Sequence, residues 1–269
     1  MIRPPAVSGR FYPSDEKKLA REIEQYTAST NKNKKVFARG CVVPHAGYMY
    51  SGHVAGAVYS AIEIPSRCIL LGPRHSPGGE AMAIISEGSW RTPFGEAQID
   101  SEWAEELKRA CPLLREDRVA HEREHSIEVQ IPFLQQLAEN LRFVPVVLAT
   151  QRYAELESLG HAVAQVIEAH SEPVLLIAST DMNHYESEAI TRVKDHRAID
   201  HILALDPRGL YDTVRSEEIT MCGYAATVAM LIAMRDLGAK DTELIRYATS
   251  GDITGDLDEV VGYAGIVIR

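Results

Sequence analysis

The sequence predicts one α/β domain: a mixed, mostly parallel central sheet flanked by helices. Three observations carry that prediction. Short apolar runs such as Val174-Leu175-Leu176-Ile177 alternate with stretches of helical period, the pattern of strands joined by helical crossovers. The chain has 269 residues, 45% hydrophobic and 25% charged, enough for one large core and ordinary for a globular protein. Glycine and proline are spread as turn punctuation, with no internal repeat or low-complexity linker, so a single domain is expected over residues 1–269.

The elements follow in order. Ser14 and Asp15 can cap a first helix with Leu19, Ile23 and Tyr26 on one face. Residues 31–35 read as a polar turn and 36–43 as a buried strand. Residues 52–62, small and apolar, read as a helix; 68–71 and 81–85 are short strands. Ser101–Ala110 is a helix with Trp103 and Leu107 on one side. Ile127, Ile131, Leu134 and Leu137 keep a helical period, and Pro132 marks either a kink or the true start. Residues 143–148 form a strand that Pro145 should break, 153–169 a long helix, and 174–177 a buried strand. Two or three helices fill residues 189–237, and strands at 243–247 and Val260–Ile268 close the chain. Residues 251–256 read as a loop without the ligand spacing of a calcium site.

The charge balance is acidic, 28 basic against 38 acidic residues for a formal −10, which disfavours nucleic acid and anionic membranes as partners. No apolar run approaches the roughly 18–20 residues of a membrane span. Residues 1–13 contain no signal-peptide core. Cys41, Cys68, Cys111 and Cys222 are scattered without a CxxC pair, as in a reducing compartment, so a cytoplasmic protein is expected. Cys41 and Cys68 lie inside apolar runs and read as core thiols.

In open α/β sheets ligands bind beyond the carboxyl ends of the strands. Three predicted strands deliver a histidine there: Val42-Val43 runs into Pro44-His45, Leu70-Leu71 into Gly72-Pro73-Arg74-His75, and Leu176-Ile177 towards Asp181 and His184. Converging imidazoles suit iron, zinc or copper and suit magnesium or calcium poorly. Gly47, Gly52, Gly72, Gly78 and Gly79 flank two of these turns and would permit unusual backbone angles. The run His121-Glu122-Arg123-Glu124-His125-Ser126-Ile127-Glu128 superficially matches the HExxH zinc helix. Its first six residues are all polar, so a helix start capped by Ser126 fits better, with Glu122, Arg123 and Glu124 in a solvated turn. His125 and Glu128 could face the cleft. Cys222 precedes an apolar helix, whose amino-terminal dipole would favour its thiolate; a buried small residue is the alternative. Arg74 and Arg91 are candidate anion-binding residues.

Taken together, these segments resemble the Memo family, the B component of the AmmeMemoRadiSam system, over nearly the whole chain. The resemblance rests on Arg3-Pro4-Pro5-Ala6-Val7-Ser8-Gly9-Arg10-Phe11-Tyr12-Pro13, Pro44-His45-Ala46-Gly47-Tyr48, Tyr50-Ser51-Gly52, Gly72-Pro73-Arg74-His75 and Arg91-Thr92-Pro93. It continues through Glu124-His125-Ser126-Ile127-Glu128, Ser179-Thr180-Asp181 with His184, and Cys222-Gly223. Memo-like proteins look like class III extradiol dioxygenases, which open catechol rings with non-haem iron(II). The resemblance implies His45 and His75 as metal ligands and Cys222 as the third, where the dioxygenases place a glutamate. It implies His184 as the acid or base, Asp181 beside it, and His125 as a further pocket residue. Iron(II) is the implied cofactor, with copper or zinc as alternatives that a thiolate also favours. The implied activity is that of a redox or dioxygenase-like enzyme on an unknown small molecule or peptide. An alternative is an adaptor that uses the same pocket and Arg74 for phosphopeptides. The system name implies radical SAM and AmmeCR-type partner proteins, and this chain lacks the three-cysteine cluster that radical SAM chemistry needs.

Overall fold

Four parallel strands lie side by side at the centre of the sheet: Arg142–Leu148, Arg67–Pro73, Val174–Ser179 and Gly40–Val43. The computed structural model describes residues 1–28 and 35–269, so the turn expected at 31–35 falls, except for Lys35, outside the described residues. All but the first residue of the two longer strands is buried, and every residue of the other two is buried, because helices cover both faces. Alternate residues supply two cores. Ile69, Leu71, Val144, Leu176 and Val42 face the helices Ser101–Ala110, Tyr153–Glu168 and Tyr224–Asp236. Cys68, Leu70, Phe143, Ile177 and Cys41 face Glu16–Thr27, Tyr48–Ala61 and Ile131–Leu137.

Among the described residues the sheet has twelve strands, and it is mixed beyond that centre. Val260–Ile268 runs antiparallel to Gly40–Val43 and carries Thr242–Thr249 and the short His184–Glu186. On the opposite side Gly95–Ile99, Ser89–Thr92 and Ile2–Arg3 extend it, and Met82–Ile84 with Arg115–Glu116 branches off Arg142–Leu148. No helix among the described residues is long and apolar enough to cross a membrane.

Several expectations hold in detail. Asp15 caps the first helix, its Oδ1 accepting from Lys18 N–H at 2.8 Å. Pro132 sits in the first turn of Ile131–Leu137, so the proline starts that helix and does not kink it. Three helices, Glu188–Leu203, Pro207–Ser216 and Tyr224–Asp236, fill residues 189–237.

Others are corrected. The strand expected at 36–43 is only Gly40–Val43; Val36 makes an isolated bridge to Ile62, and Phe37 is exposed. Pro145 does not break its strand. On the edge away from Arg67–Pro73, Gly95–Ile99 pairs as far as Phe143 and Met82–Ile84 resumes at Val146, so the missing N–H falls in the gap between them. Gly251–Thr254 is one turn of helix, ended by Gly255 in the left-handed region. Gly78 and Gly79 do adopt positive φ, at 87° and 85°, whereas Gly47 has an ordinary φ of −56°.

Candidate functional site

Val174–Ser179 lies between the strands that carry His45 and His75, and it ends at Ser179. The two rings therefore meet above it, with centroids 5.2 Å apart. A third ring joins from outside the sheet. His125 stacks on His75 at 4.5 Å and 24°, and Phe11 packs against it at 4.8 Å. One ligand atom from each of His45, His75 and His125 lies within 4.8 Å of the others, and these three residues could hold a metal ion. His45 is buried, while the side chains of His75 and His125 are 34% and 20% exposed. The group thus opens to solvent on one side.

Backbone packing brings the His125 segment to the sheet end. Ser126 Oγ donates to the Pro73 carbonyl at 2.8 Å. Gly72 makes room for it: a Cβ there would stand 2.6 Å from Ser126 Oγ. The glycine serves close approach, not an unusual backbone angle. Ser126 is therefore a strap across the strand end and caps no helix by its side chain.

Hydrogen bonds fix the rings. Ser179 Oγ donates its one proton to the Ser126 carbonyl at 2.6 Å, so it must accept from His45 Nδ1 at 3.0 Å. Gln130 Nε2 fills its remaining lone pair at 2.9 Å. His75 Nδ1 donates to Glu124 Oε1 at 2.9 Å. His184 Nδ1 donates to the Thr220 carbonyl at 3.0 Å. In its neutral form each of these rings would carry its proton on Nδ1 and leave Nε2 with a bare lone pair, the arrangement of metal-binding or proton-accepting histidine. Burial and the neighbouring imidazoles hold His45 protonation well below its ordinary range, and burial lowers that of His125 to about 4. Both are neutral, ligand-competent bases at neutral pH.

Glu124 is a residue that the sequence reading misplaced. It lies fully buried, not in a solvated turn, and accepts from His75 N, His75 Nδ1, His125 N and Ser126 N. Burial alone would raise its pKa, but those donors and the two histidines hold it well below the carboxylate range. Its place beside His125 in the chain is the one local signal; its partner His75 lies 49 residues away.

The HExxH reading fails for a geometric reason. The helix is a single turn, Val119–Glu122, which His125 lies beyond, and His121 is buried elsewhere with Nδ1 on the Asp117 carbonyl. Glu128 does not face the cleft either. It is buried under the amino-terminal segment, where it pairs with Arg3 at 2.6 Å and accepts from Ala6 N, Val7 N and Tyr12 Oη. This lock holds residues 3–12 so that Phe11 reaches His125 and its carbonyl accepts from Tyr48 N–H.

Cys222 arrives on the turn before Tyr224–Asp236. Its Sγ lies 3.2 Å from His45 Nε2 and accepts from Asp181 N–H at 3.2 Å. Gly223 lets this turn press on the Ser179–Thr180 backbone, for a Cβ would meet the Ser179 carbonyl at 2.4 Å. Burial, then the charge of Asp181, push the thiol well up, so the helix dipole does not favour the thiolate in the metal-free pocket. Asp181 Oδ1 accepts from His45 N–H at 2.7 Å, and burial raises its carboxyl to about 7. His184 stands beside the three-histidine group, not within it. Arg74 Nη1 donates to the Gly79 and Glu80 carbonyls, and Arg91 pairs with Glu96 on the hairpin.

Fold and cleft together define an α/β protein with a histidine-lined, metal-capable pocket at the carboxyl ends of its central strands. A family model described as Memo-like protein matches residues 3–267. A MEMO1 family protein of Methanopyrus kandleri is 42% identical over 282 residues, covering 100% of this chain and 99% of that one. Similar proteins of Methanothermobacter thermautotrophicus and Sulfolobus acidocaldarius are 41% and 40% identical, each with 98–99% of both chains covered. The chain belongs to the Memo-like family.

Proposed function

We propose that the cleft binds a transition-metal ion through Nε2 of His45 and His75 with Cys222 Sγ as the third protein ligand. On this reading the protein is a metal-dependent oxidoreductase, dioxygenase-like, acting on a small molecule. The supporting observation is the pair of rings whose Nδ1 atoms are engaged by Ser179 and Glu124, which leaves Nε2 of each as the open ligand atom. Nitrogen with sulfur is a donor set for iron(II), copper or zinc, and iron(II) is the choice that fits dioxygenase-like chemistry. One separation favours Cys222. Two ligands about 2.0–2.3 Å from one ion, at octahedral to tetrahedral angles, lie about 3.1–3.6 Å apart. His45 Nε2 and Cys222 Sγ are 3.2 Å apart. His125 remains a pocket residue near enough to His45 and His75 to compete with the sulfur.

A bound ion would supply Lewis acidity, redox capacity and open positions for substrate. The chain's own residues do the rest. His184, with Nε2 bare, accepts a proton from the substrate, and Asp181 holds the main chain of His45. A cytoplasmic, reducing setting would preserve the Cys222 thiol. Any radical step in a wider system would fall to separate radical SAM and AmmeCR-type partners. The adaptor alternative gains no support here, since Arg74 Nη1 and Arg91 are already engaged within the chain.

Anaerobic iron(II) titration followed by metal analysis tests the reading. His45→Ala and His75→Ala should lose stoichiometric binding, Cys222→Ser should weaken it at least tenfold, and His125→Ala should change it little. Equal binding by His45→Ala and wild type would refute the site.

A further inference from the structure

The buried carboxylate of Asp195 takes no part in the cleft, yet everything it touches leads there. It projects from the helix Glu188–Leu203 and is fully buried. Its Oδ1 accepts from Asn183 N–H at 2.8 Å and its Oδ2 from Tyr247 Oη at 2.7 Å. Gly262 is small so that the carboxylate fits: a Cβ there would lie 1.8 Å from Asp195 Oδ2. Gly262 in turn exchanges backbone hydrogen bonds with the same loop, donating to the Asn183 carbonyl and accepting from Met182 N–H. Asn183 is thus fixed as part of the loop that runs from Asp181 to His184.

Its side chain carries the constraint onward. Asn183 Oδ1 accepts from Thr220 N–H at 3.0 Å, a donor-only group, which settles which way the amide faces. It also meets Thr220 Oγ1 at 3.0 Å, and Asn183 Nδ2 donates to Glu186 at 2.7 Å and Thr191 at 3.3 Å. Thr220 then grips His184 twice. Its Oγ1 accepts from His184 N–H at 2.7 Å, and its carbonyl accepts from His184 Nδ1 at 3.0 Å. Among these contacts only the carbonyl dictates the tautomer, because it cannot donate. Tyr185, the next residue, sits at a left-handed φ of 60°, and the strand register shifts between His184 and Glu186. A tyrosine in that region is an uncommon conformation, so the surrounding bonds must impose it.

We infer that Asp195, acting through Asn183 and Thr220, is the positioning residue that holds His184 as its Nδ1–H tautomer with Nε2 free to take a proton. It touches neither substrate nor the proposed metal ligands. The carboxyl of Asp195 is raised to about 6 by burial. Replacement by asparagine therefore removes a buried charge whose desolvation is unfavourable, while keeping an oxygen for Asn183 and an amide for Tyr247.

This inference rests on reading His184 as the proton-moving group, but its test needs neither metal nor turnover, so the two can fail separately. The measurement is side-chain nitrogen NMR of metal-free, histidine-labelled protein at neutral pH. Wild type should show His184 with Nδ1 protonated and Nε2 bare. Asp195→Ala and Thr220→Val should move His184 into a tautomer mixture, with the Nε2 signal shifting towards its protonated position, whereas Asp195→Asn, which keeps an oxygen for Asn183 N–H, should leave it as in the wild type. His45, held by Ser179 through a separate network, should not move. Thr220→Ser, which keeps the hydroxyl, should restore the wild-type signal. An unchanged His184 in both Asp195→Ala and Thr220→Val would overturn the inference. So would parallel shifts of His45 and His184, which would mean general loosening of the fold.

Discussion

Two buried carboxylates flank the same histidines and behave oppositely. Glu124 accepts four N–H donors, two from His75 and one each from His125 and Ser126, and stays ionised far below the usual range despite its burial. Asp181 is also buried but accepts from fewer groups, the main-chain N–H of His45 and of Ala46, and burial raises it to about 7. Both are buried; the donors and histidines around Glu124 outweigh desolvation, and the fewer donors to Asp181 do not. Glu124 is thus a fixed anion that orients His75 and would add negative charge beside the proposed metal ion. Asp181 is poised to exchange its proton at working pH, next to Cys222 and His45.

Removing Glu124 should do the most damage. Glu124→Ala leaves four buried donors unpaired and should cost about 3–5 kcal/mol by chemical denaturation, on the scale of a broken buried charge network. Glu124→Gln should cost less and weaken metal affinity by about 10- to 100-fold, the usual effect of losing a group that orients a ligand. A Gln variant with unaltered affinity would deny Glu124 its orienting role.

Asp181→Asn should act in the other direction. Its folded-state pKa lies above the unfolded value, so the native state binds the extra proton and wild-type stability falls as pH rises from about 4 through about 7. The asparagine variant removes that loss and should be the more stable protein at pH 8, by up to a few kcal/mol, with little difference at pH 4. Denaturation curves of the metal-free proteins at the two pH values check this; a less stable variant at pH 8 would contradict it.

The histidines give a smaller, opposite slope. His125 is lowered to about 4 by burial, so between pH 6.5 and 4 the unfolded chain binds a proton that the native one refuses. Acid should therefore destabilise the metal-free protein in that window, and His125→Gln should flatten the curve there. If the slope between pH 6.5 and 4 were unchanged in the variant, His125 would not be the group responsible.

The sequence made the strand ends legible because apolar runs stop abruptly at Pro44-His45, Gly72-Pro73 and Ser179-Thr180, and all four central strands are present in the predicted order along the chain. It also singled out every ring in the cleft. What it could not show were contacts between distant segments: Ser126 on Pro73, Glu128 under Arg3, and Glu124 on His75. A polar run reads as solvated when its partners lie tens of residues away in the chain. For the same reason the sequence leaves Cys222 open between a dipole-favoured thiolate and a buried small residue, since a local dipole is visible in sequence and burial by the Thr180–Asp181 loop is not. Arg3 is a further case, a cation near the start of the chain that is buried over Trp90 at 4.1 Å.

The most direct test of the central claim is X-ray absorption spectroscopy of the protein loaded anaerobically with iron(II), compared with its Cys222→Ser variant. A metal centre on His45, His75 and Cys222 requires imidazole nitrogens and one sulfur around the ion in the wild type, and loss of the sulfur alone in the variant. An ion surrounded only by oxygen, or a sulfur signal that survives in Cys222→Ser, would contradict it.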